Sequence, residues 1–154
     1  MHYRVIRAAL LLITISFTSC HTYKEYNKDA FGNYTWESAQ EIVFKPVIED
    51  VTKTYTLSVG IRHMYGLQLE TMSVTVKIIA PSGKEEKQAH DFKLMKGPDQ
   101  YVGSCAGDLC DLETVVNNNL KFTESGEHQL IVTHNFSGNK IPGIMEVGVI
   151  IDEK

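Results

Sequence analysis

Residues 53–63 read KTYTLSVGIRH and residues 70–80 read ETMSVTVKIIA. In the first stretch Tyr55, Leu57, Val59 and Ile61 alternate with Thr54, Thr56, Ser58, Gly60 and Arg62. In the second, Met72, Val74, Val76 and Ile78 alternate with Thr71, Ser73, Thr75 and Lys77. A side-chain period of two places one set on each face of an extended chain. Both stretches therefore predict strands with one face in a core and one in water. EHQLIVTHNF (127–136) and IMEVGVIID (144–152) predict two more, and weaker candidates cover Ile42–Ile48, Gln88–Met95 and Leu112–Phe122.

Turn residues separate these runs. Pro81-Ser82-Gly83, Lys96-Gly97-Pro98-Asp99, Glu124-Ser125-Gly126 and Ser137-Gly138-Asn139 each supply a preset or a positive φ. Ala80 to Lys84 reads as a β-hairpin connection. Strands rich in β-branched residues, with turn signals this frequent, predict an all-β chain. Its expected form is an antiparallel β-sandwich, immunoglobulin-like or jelly-roll-like, of about seven or eight strands. The one helical alternative is Asp108–Asn118, where Leu109, Leu112, Val115 and Val116 have helical spacing.

The chain has 154 residues and is 43% hydrophobic, enough for one domain with its own core. Its net charge is −4, and −6 without the first 19 residues, which hold Arg4 and Arg7 and no acid. That balance, with no basic cluster, excludes steering toward nucleic acid.

The N-terminus has its own pattern. Arg4 and Arg7 precede the apolar run Ala8–Phe17, which is about half the length of roughly 20 residues that a membrane-spanning helix needs. A positive start, a short apolar run and small residues at a junction predict a secretory signal peptide over residues 1–19. Phe17-Thr18-Ser19-Cys20 resembles the bacterial lipobox, in which the cysteine is lipidated and becomes the first mature residue. Cys20 is then a lipidation site, and two or three acyl chains there anchor stably where one would not. The alternatives are an ordinary secretory signal with Cys20 in a disulfide, or a core strand. Residues 20–35 read as a lipid-anchored tether able to dock on the domain, and residues 36–154 as the sandwich.

With Cys20 lipidated, Cys105 and Cys110 remain as an even pair in an oxidising compartment. They are expected either to bond to each other or to stay as two reduced thiols. Gly103-Ser104-Cys105-Ala106-Gly107 formally matches a nucleophile elbow with cysteine for serine, but that motif requires a strand–turn–helix in a parallel sheet. His128 and His134 share strand parity yet lie roughly 20 Å apart at about 3.4 Å per residue, too far to share a metal. Asp108, Asp111 and Glu113 lack the ordered loop spacing of a calcium site. No catalytic residue, metal site or cofactor is expected. Tyr34 and Trp36 are candidates for a sugar-stacking platform, or else for an aromatic lid on the sandwich end.

Several motifs recur in an order that matches a known family. Phe122-Thr123-Glu124-Ser125-Gly126-Glu127-His128 is followed by Asn135-Phe136 and by Ile141-Pro142-Gly143-Ile144 running to Val147-Gly148-Val149. Upstream lie Tyr55, then Ile61-Arg62-His63, then Tyr65, and a turn with Gly103, Gly107-Asp108 and Asp111. Together with the lipobox, this resembles the H family of gliding-motility lipoproteins of the Bacteroidetes over essentially the whole chain. Leu69-Glu70 departs from the Asn-Leu often found there, and Cys105 and Cys110 lie outside the pattern. The resemblance implies a non-enzymatic cell-envelope lipoprotein, accessory to a gliding apparatus linked to type IX secretion. Its partners would be other envelope lipoproteins or machinery subunits. A carbohydrate- or peptidoglycan-binding lipoprotein is the alternative. His21 is not the aspartate that retains lipoproteins in the inner membrane of enteric bacteria, which favours the outer membrane. Only Glu25 and Asp29 are acidic in the first ten mature residues, which favours the periplasmic face.

Overall fold

The computed structural model describes residues 22–154. The expected signal peptide and Cys20 lie outside the described residues. Within them the chain is β throughout, apart from a 3-10 turn at Gly32–Tyr34. In chain order the strands are β1 (Tyr23–Asn27), β2 (Thr35–Glu37), β3 (Ile42–Phe44), β4 (Val47–Ile48), β5 (Tyr55–Met64), β6 (Thr71–Ile79), β7 (Glu85–Lys93) and β8 (Met95–Gly97). There follow β9 (Gln100–Tyr101), β10 (Ser104–Ala106), β11 (Leu109–Leu120), β12 (Gly126–Glu127), β13 (Gln129–His134), β14 (Lys140–Pro142) and β15 (Ile144–Glu153).

The all-β class is borne out, but these fifteen strands exceed the seven or eight expected. Nine of them have only two to five residues. So short a segment barely completes one alternation and leaves almost no period to read.

Two sheets carry the long strands. One runs β1-β15-β5-β11-β10 and the other β3-β13-β6-β7, and every ladder is antiparallel. Short pairs β4–β12, β2–β14 and β8–β9 extend the edges and ends. From β5 the chain crosses to β6, makes a hairpin to β7, returns to β11, crosses to β13 and returns to β15. The predicted faces are the buried ones. Tyr55, Leu57, Val59 and Ile61 face Met72, Val74, Val76 and Ile78 within a single hydrophobic cluster. The β6–β7 turn closes as its residues predict, with Gly83 at φ +88 and its N–H donating to the Ala80 carbonyl.

The helical alternative over Asp108–Asn118 is overturned, because the segment is the long strand β11. Its register against β5 shifts between Val115 and Asn117 and again between Asn117 and Leu120. Leu109, Leu112 and Val115 all precede these shifts, in unbroken register with β5; Leu109 and Val115 are exposed and Leu112 is buried, so the helical spacing mixes apolar residues from both faces of the strand.

The segment read as a tether holds a strand. β1 pairs over its whole length with β15, from Tyr23 opposite Ile151 to Asn27 opposite Val147. Because β1, β15 and β5 are antiparallel neighbours, the sandwich has two distinct ends. The near end, where β1 begins, carries the turns at 45–54, 80–84 and 121–125. The far end carries the connections at 28–34, 65–70, 94–108 and 135–143.

Candidate functional site

The outer face of the five-stranded sheet has an aromatic ring lying on two glycines. Gly60 and Gly148 are direct cross-strand partners. A Cβ at Gly148 would fall 2.6–2.7 Å from the Tyr26 ring, and one at Gly60 would fall 2.1 Å from the Tyr26 hydroxyl. An isolated glycine within a strand often marks such a close approach. Beside the ring, Arg62 donates through Nε and Nη2 to both carboxylate oxygens of Asp111, at 2.7 and 3.1 Å, and through Nη1 to Glu146 at 3.1 Å. The guanidinium holds the Asp111 carboxyl below its usual range, chiefly through those bonds. Lys24 pairs with Glu113 at 3.7 Å. Asp111 and Glu113 are thus each engaged by a cation, while Asp108 lies on the turn beyond them.

At the far end Tyr101 packs between Tyr65 and His63, with ring centroids at 5.0 and 5.3 Å. The Gly66 N–H donates to the Tyr101 hydroxyl at 2.9 Å. Met64 is 40% exposed and Tyr65 49% exposed, and Tyr34, Leu109 and Phe136 also show apolar surface at this end. Cys105 and Cys110 face each other across the β10–β11 hairpin and are joined by a disulfide. Gly103 (φ +97) has no room for a side chain, since a Cβ would fall 2.2 Å from the Asp111 carbonyl oxygen. This is a tight antiparallel hairpin, so the geometry of a nucleophile elbow is not present.

The sugar-platform reading loses its main residue. Trp36 is fully buried, with Phe31 and His134 edge-on to its ring at 5.9 and 5.1 Å. It offers no face for stacking, whereas Tyr34 is half exposed. The apolar indole is worth more to the fold inside the core than on the surface.

His63, His128 and His134 are all buried, and none joins a group of three metal-ligating side chains among the described residues. His128 packs on Phe122 at 4.8 Å. His134 accepts the Phe136 N–H at Nδ1 (3.2 Å), so its neutral form carries the proton on Nε2. Burial pushes its pKa below the ordinary 6.5. A base with a depressed folded pKa adds no pH dependence above 6.5 and erodes stability as pH falls through that value, by at most about 1.4 kcal/mol per pH unit. Urea midpoints measured at pH 7.5 and 5.0 are expected to fall further for wild type than for His134→Gln. An equal fall in both would show that His134 does not carry the effect.

The edges of the four-stranded sheet are poorly suited to adding a strand. β7 carries Glu85, Glu86, Lys87, Asp91 and Lys93, and Pro46 separates the short β3 from β4. The Tyr26–Arg62 arrangement escaped the sequence reading because Arg62 lies 49 and 84 residues from its carboxylates. Gly60 and Gly148 were its only local sign.

A family model described as GldH lipoprotein matches residues 21–151. A gliding motility lipoprotein GldH homolog from Christiangramia forsetii is 25% identical over 139 residues, covering 90% of this chain and 85% of that protein.

Proposed function

The chain belongs to the GldH lipoprotein family, and on that basis we propose that it is a non-enzymatic accessory subunit of the envelope machinery for gliding, linked to type IX secretion. It is anchored through Cys20 in the outer membrane and faces the periplasm. The observation that carries this reading is the family match over residues 21–151, which takes in all but the last few residues of the folded domain. The lipobox-like Phe17-Thr18-Ser19-Cys20 immediately upstream supports the anchor.

Its partners are other envelope lipoproteins or machinery subunits. With the edges of the four-stranded sheet charged or interrupted, the far end is the better docking surface. Tyr34, Met64, Tyr65, Leu109 and Phe136 expose apolar area there, of the aromatic and methionine character enriched at protein interfaces. The Cys105–Cys110 bond holds the adjacent hairpin and closes so small a ring that it adds about 2 kcal/mol by loop entropy. Alkylation of the native protein without reductant is expected to leave both thiols unmodified. Modification of both would show that the bond is not formed.

The test is a pull-down from intact envelopes after mild cross-linking. Wild type is expected to fractionate with membranes and to enrich motility or secretion subunits. Cys20→Ala is expected to leave the membrane fraction, and its unchanged retention there would overturn the anchor. Enrichment of no machinery subunit by the wild type would overturn the accessory role.

A further inference from the structure

The described chain leaves very little slack between Cys20 and the folded domain. Tyr23 is already in the ladder, opposite Ile151. Its hydroxyl donates to Glu25 and accepts the Lys45 N–H at 3.3 Å. Three residues further on, Tyr26 lies against Gly60 and Gly148. From Cys20 to Tyr23 is three residue steps, at most about 11 Å even fully extended. β1 runs from the near end toward the far end, so the described chain enters the sandwich at its near end.

This end also exposes apolar side chains. Val47 (54% exposed) and Val51 (38% exposed) stand on the near-end turns, beside Lys45, Lys53, Lys84 and Lys121. Lys53 pairs with Glu153 and Lys84 with Glu86, while Lys45 and Lys121 make no ion pair among the described residues. The same end carries Glu49, Asp50, Glu124 and Glu153, with Glu85 and Glu86 beside the 80–84 turn, so its charge is mixed.

We infer that the sandwich stands on the membrane on its near end, with Val47 and Val51 at the level of the headgroups. The inference rests on Cys20 being the lipid anchor. The far end, with Met64 and Tyr65, then stands farther out by about the length of β5, roughly 30 Å for a ten-residue strand. The domain is held upright by a three-residue leash and does not swing on a long tether.

The test uses the full-length acylated protein in vesicles of phosphatidylethanolamine and phosphatidylglycerol that include a headgroup-nitroxide lipid. One fluorophore is attached through Val51→Cys, or in a second protein through Ser137→Cys, with Cys105 and Cys110 left bonded. Quenching is expected to be several-fold stronger at position 51. A flexible Gly/Ser insert of about 12 residues after Thr22, with ends about 20 Å apart, is expected to remove most of that difference. Equal quenching at both positions of the anchored protein overturns the upright orientation and leaves the anchor standing. A difference that the insert leaves unchanged overturns the role of the short leash. A purified chain that lacks acyl mass and does not float with vesicles overturns the anchor, and the orientation with it.

Discussion

Trp36→Ala is expected to lower folding stability by about 3–5 kcal/mol, the range for removing a large aromatic from a packed core. The indole has no exposed surface, and its Nε1 donates to the Gln40 carbonyl at 3.3 Å. Truncation removes the ring contacts with Phe31 and His134 together and leaves the Gln40 carbonyl without its donor. Trp36 is the only tryptophan in the chain, so unfolding must be followed by circular dichroism and not by its fluorescence. A fully folded Trp36→Ala protein with a loss below about 1 kcal/mol would contradict the burial of the indole. A mutant of normal stability that had lost sugar binding would revive the stacking platform.

Gly148→Val is expected to cost about 1–3 kcal/mol, as overpacking does, even though valine suits a strand far better than glycine. The new Cβ would meet the Tyr26 ring at its inner edge, 2.6–2.7 Å away, where the side chain cannot easily swing clear. β1 is therefore the element that gives way. Amide exchange over Tyr23–Asn27 should quicken more than exchange in β5 or β15. Tyr26→Ala removes the obstacle, so the double mutant is expected to be more stable than the two single losses sum to, by at least about 1 kcal/mol. Strict additivity would mean that the ring and the glycines are not coupled. Release of β1 would also lengthen the leash behind Cys20, so Gly148→Val should weaken the quenching contrast between positions 51 and 137.

These two residues mark where local pattern stops being informative. Trp36 sits in a three-residue strand beside an exposed Tyr34. Nothing within a few residues distinguishes a core indole from a surface one. Its burial depends on His134, about a hundred residues away, arriving from the other side. Tyr26 likewise looks like one more aromatic in a polar stretch until β15 and β5 bring two glycines beneath it. Arg62 was visible within a motif, but its carboxylates became neighbours only when β11 and β15 settled on either side of β5. In β11 the local pattern misled, because Leu109 and Val115 are apolar residues on the exposed face, while Leu112 faces the core.

By itself the sequence determined the all-β class, the buried faces of β5 and β6, the hairpin at Pro81–Gly83 and the family. The first three follow from the backbone, since a two-residue period and a preset or positive φ are properties of the chain's own geometry, legible over a few residues. The family followed from the order of short motifs along the chain. The tertiary structure alone decided that Trp36 is core, that Tyr26 fastens β1, and that exposed Tyr34, Met64, Tyr65, Leu109 and Phe136 gather at the end away from the start of β1. Those outcomes depend on sheet order and register between distant strands. Side-chain contacts across a sheet arise from that order, and no local period encodes it.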